Sequence, residues 1–389
     1  MINKVNDILI SLKHYCEKEE YKGWDPFDGL NSKVFKFTGL NKFRLPRLLW
    51  MQFFKRSPIN FRKISLVEKG VNPQAIGLFL SAYVRLYNLN KDQLEIAKIE
   101  HLYSILEKIE SKGWSGSCWG YNFDWQARAF YQPAYTPTVV PTIYAAQGIL
   151  DYYELTGDKK LLEKCLSVCL FLTKDLNRTY GNDGSFAFSY SPLDSSVVYN
   201  ISLHISNFLA RVYSITGNEE FKDIAGKLAE YCCFNQHENG SWSYGKKEYH
   251  GWIDSFHTGY NLECLHGYSI YSGDFRFEDN LKRGFEFYRK EFIDKNGRPL
   301  YYVHKDYPFD INSAAQFIVT LSKLGKLNQQ KDMADKSLNW VFDHLFSQKD
   351  YFYFRKTKYF TNKVPYMRWS QAWMMYALVM YLEGSRNES

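Results

Sequence analysis

A period of 56 to 60 residues runs through this chain of 389 residues and limits what it can fold into more than any other feature. Glycine-centred corners read "LTGDKKLLEK" from 155, "ITGNEEFKDI" from 215 and "YSGDFRFEDN" from 271, placing Gly157, Gly217 and Gly273 at intervals of 60 and 56. Weaker corners occur at "YNLNKDQLEI" (87) and "SKLGKLNQQK" (322). Glycine at such a corner ends a helix in the left-handed conformation, and the Asp or Asn beside it can cap the next. A second marker keeps the same step: "DGSFAFSY" (183), "NGSWSYG" (239) and "NGRPLYYV" (296) space Gly184, Gly240 and Gly297 by 56 and 57. "SGSCWGY" (115) and "DYFYFRK" (350) extend that series, and each reads as a turn into a short extended piece.

Six helices beginning near 72, 138, 200, 255, 310 and 368 are mostly apolar around their circumference, as an inner ring requires. Their partners, such as "NEEFKDIAGKLAEYCCF", carry charge along one face and belong outside. A helix over about residues 2 to 18 supplies the outer partner that the last inner helix lacks. The expected fold is all-α: an (α/α)6 barrel over 71–389 with hairpin-like loops at one end, and an N-terminal helix and basic aromatic arm over 1–70 packed on it. The long segments 114–137, 183–199, 239–254, 297–309 and 350–367 all lead into inner helices. They must gather at one end of the ring, where inner-helix N-termini favour anions and variable loops carry function.

Over residues 72 to 389 this repeat architecture, with its aromatic loops, resembles the six-hairpin toroids of sugar-active enzymes: N-acylglucosamine 2-epimerases, unsaturated glucuronyl hydrolases and polysaccharide lyases. A shorter resemblance is "QHENGSW", which fits the Q-x3-G-x-W repeat of terpene cyclases and their prenyltransferase relatives. It implies that Gln236, Gly240 and Trp242 brace outer helices; the Asp-rich catalytic run and the zinc set of those enzymes have no counterpart here. The segment "GWDPFDGLNS" (23–32) is similar to one near the start of toroidal proteins encoded with bacterial surface-polysaccharide genes. Asp25 and Asp28 within it read either as turn formers or as ligand contacts.

Composition narrows the classes. Aromatic content is 18%, with 31 Tyr, which suits stacking on sugar rings, although codon bias also raises Phe and Tyr. The net charge of +7 is matched by residues 41–70 alone, which hold eight Lys or Arg and one Glu. That segment either rests on an anionic membrane surface or packs on the domain by its aromatics. Basic residues confined to one segment disfavour nucleic-acid binding, and no glycine-rich phosphate loop or dinucleotide fingerprint occurs. Seven cysteines without framework spacing, no charged-then-apolar leader and no apolar run of membrane-spanning length give the expectation of a cytoplasmic chain, with residues 41–70 as its contact with the membrane's inner face if it has one. No cofactor is expected, and no metal, although Cys264-x-His266 with Cys232 and Cys233 is an alternative zinc set.

Glycan chemistry needs groups that give or take a proton, together with aromatics and a charge complementary to the sugar. The loop end offers His257 and Asp254 in "GWIDSFHTGYN", and Asp124 in "YNFDWQARAFYQPAY", as acid/base groups. Asp254 also reads as the cap of the fourth inner helix, and His257 lies one turn on. Substrate contacts are expected from Tyr121, Trp125, Arg128, Tyr135, Trp252 and Tyr260. His204, Asp310, Asn312, Arg368 and Trp369 hold corresponding places in neighbouring repeats. His204 reads equally as a core histidine, the aromatics near Asp124 as a plug, and Arg368 as half of an inter-helix ion pair. The expected function is epimerase, lyase or hydrolase chemistry on an acidic saccharide of bacterial surface-polysaccharide biosynthesis. Isoprenoid cyclisation and non-catalytic glycan binding are the alternatives; the first requires an apolar cavity, the second exposed and unpaired carboxylates.

Overall fold

The computed structural model describes residues 1–127 and 131–386. Six inner helices, α4 (Pro73–Asn90), α6 (Val139–Thr156), α8 (Tyr199–Thr216), α10 (Ser255–Ser272), α12 (Ile311–Lys323) and α14 (Trp373–Arg386), alternate with outer ones. The outer helices are α1 (Ile2–Lys18), α5 (Gln93–Lys108), α7 (Lys159–Lys174), α9 (Glu219–Phe234), α11 (Glu278–Phe292) and α13 (Lys331–Leu345). Each inner helix packs on the next, and α14 returns to α4, so the ring closes. Two short helices, α2 (Lys33–Phe37) and α3 (Arg44–Arg56), lie between α1 and α4.

The periodic glycines act at the corners as their spacing requires. Gly157, Gly217 and Gly273 end α6, α8 and α10 at φ of 70°, 68° and 71°. At the first two corners the next residue caps the following helix, Asp158 accepting from Lys160 N–H and Asn218 from Glu220 N–H, both at 3.0 Å. The inner helices are buried on nearly every side: Trp373 to Leu382 of α14 and Ile311 to Leu321 of α12 are buried without interruption. Burying each such large apolar side chain stabilises the fold by about 1.5–3 kcal/mol. By contrast α1 buries the single stripe Val5, Leu9, Leu12 and Cys16 and packs on α14, completing the sixth pair. Gly77 permits a close crossing of α4 and α6, where a Cβ would stand 2.1 Å from the Tyr144 carbonyl.

Three small antiparallel sheets form from the loops: β1 (Trp125–Gln126) with β2 (Tyr131–Gln132), β3 (Arg178–Tyr180) with β4 (Phe186–Phe188), and β5 (Phe309–Asp310), β6 (Arg355–Lys356) and β7 (Thr361–Asn362) in that order. The glutamine–tryptophan motif is a brace. Gln236 Nε2 donates to the carbonyls of Gly240 and Asn280 at 2.9 Å, its Oε1 accepts from Asn280 and Arg283, and Trp242 donates to the Cys232 carbonyl, tying α9 to α11. No helix among the described residues is long and apolar enough to cross a membrane.

Residues 19–72, between outer α1 and inner α4, hold the same position in the hairpin order as the five long loops. They are the sixth and longest, and two buried ion pairs hold them, one within the loop and one to the ring. Arg62 Nε lies 2.7 Å from Asp28, whose carboxyl burial pushes up to about 6 against the pull of Arg62. Arg368, at the start of the last inner helix, forks onto both oxygens of Asp25 at 2.6 and 2.9 Å. Asp25 therefore fastens this loop to the barrel, and Asp28 braces the loop internally.

Candidate active site at the loop end of the ring

The loops and inner-helix N-termini enclose a cavity of about 420 Å³. Tyr121, Trp125, Tyr190, Tyr244, Trp252, Phe256, Tyr260, Tyr301, Tyr302 and Trp369 give it an aromatic lining, while Gln74, Asn200, Asp254, His257 and Arg368 bring polar atoms. Leu48, Met51, Gln52 and Lys55 of α3 form one wall. The size lies within the range of about 300–1,000 Å³ usual for small-ligand pockets.

Asp254 and His257 are the chemical centre. The Asp254 carboxylate caps α10 by accepting from the His257 backbone N–H at 2.9 Å, and its other oxygen lies 2.7 Å from His257 Nδ1. Trp252 Nε1 donates to that same oxygen at 3.2 Å. Asp254 is buried, and this triple use fixes its geometry. An Nδ1–H···carboxylate bond leaves Nε2 as the lone-pair nitrogen of the ring, the arrangement a general base requires. No hydrogen-bond partner occupies that nitrogen among the described residues, and His257 borders the cavity. Tyr244 meets the imidazole edge-on with ring centroids 4.6 Å apart. Burial raises the pKa of Tyr244, Tyr260, Tyr190 and Tyr301, so these phenols stay protonated and serve as donors.

Two cations reach the cavity and differ in how they are engaged. Arg368 and Trp369 belong to a π-helical turn, Met367–Ala372, a distortion that frequently marks functional sites. Asp25 and Gln74 occupy all of the Arg368 hydrogen-bonding nitrogens, with Gln74 at 3.1 Å. Arg368 thus lines the cavity as part of an ion pair with Asp25, a residue of a loop and not of a neighbouring helix. Lys55 has no carboxylate partner among the described residues; its ammonium lies 4.5 Å from the centre of the Phe27 ring. Burial, helped by nearby Arg355, lowers its pKa to about 8.

The structure brings together Tyr121, Trp125, Trp252, Asp254, His257, Tyr260, Arg368 and Trp369. It leaves other candidates elsewhere. Asp124 accepts from Ala134 N–H at 2.9 Å and lies 3.4 Å from Lys36, so it organises the loop that carries Tyr121 and Trp125 without itself lining the cavity. Tyr135 is exposed, at φ 63°. Asp310 and Asn312 are buried behind the wall; Asp310 accepts from Trp369 Nε1 at 2.8 Å, pairs with Arg355, and caps α12 through Asn312 N–H. Arg128 lies outside the described residues. His204 faces a second, smaller cavity and contacts Cys264 Sγ at 3.2 Å; burial lowers its pKa to about 3, with the charge of His257 adding to the shift. Of the alternative zinc set, Cys232 contacts the Tyr199 carbonyl, and among the described residues no group of three or more His, Cys, Asp or Glu is placed to hold a metal.

Lys55 and the pair Tyr244 and Tyr301 were not singled out from the sequence as site residues. The tyrosines stand in the glycine-aromatic turns that set the period, so an aromatic recurring at each loop was the available signal.

No family model and no curated protein sequence matches the chain significantly. Solved structures do match in fold. A cellobiose 2-epimerase from Bacillus thermoamylovorans B4167 superposes at TM-score 0.61 with 10% identity, covering 80% of this chain and 89% of its own. A GH76 α-mannanase from Bacteroides thetaiotaomicron gives 0.60 with 13% identity, covering 82% and 86%. A polysaccharide lyase gives 0.60 with 10% identity, covering 100% and 98%. The chain thus has the (α/α)6 toroid fold found in these sugar-processing proteins.

Proposed function

We propose that the protein is a carbohydrate-active enzyme that moves a proton at an acidic saccharide, by epimerase or lyase chemistry, in the loop-end cavity. The observation that carries this reading is the Asp254–His257 contact at 2.7 Å, with the free imidazole nitrogen at an aromatic-lined cavity. His257 is the acid/base group, and Asp254 is the positioning residue that holds its tautomer and angle. The phenols of Tyr244 and Tyr260 donate to oxygens where charge builds, and the flat faces of Trp125 and Trp252 take the sugar ring. Lys55 replaces Arg368 as the partner for the sugar's negative group, because no carboxylate among the described residues is in direct ion-pair contact with it, whereas Asp25 holds Arg368.

Glycosidic cleavage ordinarily uses two carboxyl groups about 5–9.5 Å apart. Asp254 is the one carboxylate among the described residues lining the cavity, and it is committed to His257, which favours proton abstraction. Isoprenoid cyclisation fits poorly beside a lysine, a carboxylate and an arginine pair. A purely binding role fits poorly with a buried, paired Asp254. The 23–32 segment supports a place in bacterial surface-polysaccharide biosynthesis, and seven buried free thiols support the cytoplasm.

The test is to incubate uronic-acid saccharides with the protein in D2O and follow them by NMR. The wild type is expected to wash deuterium into a ring carbon or eliminate across it, and His257→Asn to lose about 10²–10⁴ of that rate. Full activity in His257→Asn would overturn the assignment.

A further inference from the structure

We propose that the arm over residues 33–66 lies on an anionic lipid bilayer, with α3 parallel to the surface: its outer stripe meets lipid while its inner stripe walls the cavity. The helix has two apolar faces. Leu48, Met51, Gln52 and Lys55 line the cavity, whereas Leu45, Leu49 and Phe53 point the other way and are 65%, 63% and 46% exposed. Around them stand Phe37, Leu40, Phe43, Ile59, Ile64 and Leu66, all exposed. With Val34, this stretch holds ten of the 26 large apolar side chains left exposed among the described residues, a concentration that scattered surface residues do not produce.

Charge selects the occupant. From 33 to 66 there are nine Lys or Arg and no Asp or Glu. Arg62, Arg47 and Lys55 turn inward, and Lys33 and Lys36 reach Glu68 and Asp124. Lys42, Arg56 and Lys63 are exposed and have no carboxylate partner among the described residues. The β6–β7 hairpin adjoins the arm through Asn362, which donates to the Ser57 carbonyl at 2.9 Å, and its tip adds Lys358 and the 85% exposed Tyr359. Exposed aromatics and leucines interleaved with unpaired cations match the headgroup region of an anionic bilayer, where each basic residue and each inserted apolar side chain adds to binding. A protein partner would be expected to supply carboxylates in a fixed pattern; a bilayer needs only net charge and a yielding apolar layer. The surface is independent of the reaction assigned to the cavity, so either can fail alone.

The experiment is sedimentation of the full chain with phosphatidylglycerol/phosphatidylcholine vesicles and with phosphatidylcholine vesicles alone. Binding to the anionic vesicles is expected, falling as NaCl rises. The variant Phe43→Ser/Leu45→Ser/Leu49→Ser, whose side chains are already exposed, should bind about tenfold or more weakly with its helical circular dichroism unchanged. A second variant, Lys42→Glu/Lys63→Glu, should lose anionic selectivity. The proposal is overturned if the wild type ignores anionic vesicles at low salt, if both variants bind like wild type, or if the patch instead mediates a stoichiometric complex with a protein and no vesicle binding.

Discussion

Two cavities lie along the same ring, lined in common by α4, α6, α8 and α10, and they hold their histidines in different ways. At the loop end, the Asp254–His257 pair leaves an imidazole nitrogen open, and Lys55 lines the same cavity with Asp254 and Asp310 near it but no carboxylate in ion-pair contact among the described residues. Toward the corner end, a cavity of about 150 Å³ holds Asp151, Arg211, His204, Glu263 and Lys323. There Arg211 meets Asp151 at 2.6 Å, Glu154 at 2.7 Å and Gln147 at 2.5 Å, so its charge is spent on the neighbouring helix α6. Between the two lies an aromatic septum in which Tyr260 stacks on Trp373 and His204 sits 5.2 Å from Tyr260. The lesson is that the presence of histidine and carboxylate does not make a site. What separates the ends is that the loop-end imidazole is oriented by a carboxylate with its other nitrogen at an open aromatic-lined cavity, whereas the corner-end imidazole is fully buried and kept neutral.

The largest expected effect that would break this comparison is at His257. His257→Ala should cost about 10²–10⁴ in turnover, measured on any saccharide the wild type converts, with Asp254→Asn following it through loss of orientation. Next, Arg211→Met should lower stability by about 3 kcal/mol in urea unfolding while leaving saccharide binding unchanged, since it strands Asp151 at the structural end.

Glu263 sharpens the contrast further. Burial raises its carboxyl to about 7 against the opposing charge of Lys323. The folded state therefore holds a proton that the unfolded state releases near 4.5, and stability should fall as pH rises from about 4.5 to 7. Glu263→Gln should remove that slope and gain roughly 3 kcal/mol above pH 7, read from unfolding curves at pH 5 and 8.

At the loop end, Lys55 should lose its charge as pH rises through about 8. Calorimetric affinity for a uronate is expected to drop above that pH by about tenfold. Lys55→Arg should abolish the drop, and Lys55→Met should bind weakly at every pH. The smallest effect belongs to His204: His204→Asn should change turnover by less than about twofold, because an imidazole pushed down to about 3 stays neutral throughout the working range.

The ring itself was legible in the sequence because its repeats punctuate with glycine. A left-handed corner tolerates few other residues, so Gly157, Gly217 and Gly273 announce helix ends directly. The Asp254 cap and its reach to His257 were legible for a similar local reason, three residues along one turn. Asp124 and Arg368 were not resolved by such reasoning. Their partners, Lys36 and Asp25, come from the segment before the first inner helix, distant along the chain and outside the repeat. Lys55 was hidden for the same reason. In a segment rich in cations, the residue that turns inward is chosen by the pitch of α3 against the ring, and no spacing within one short helix reveals which side the ring occupies.

The central claim is tested most directly by a crystal structure of the protein soaked with short uronic-acid saccharides. A sugar should occupy the loop-end cavity, with a ring carbon or linkage oxygen about 3–3.5 Å from His257 Nε2 and its carboxylate on Lys55. A saccharide seated in the corner-end cavity, or bound at the loop end with His257 turned out of reach, would contradict it.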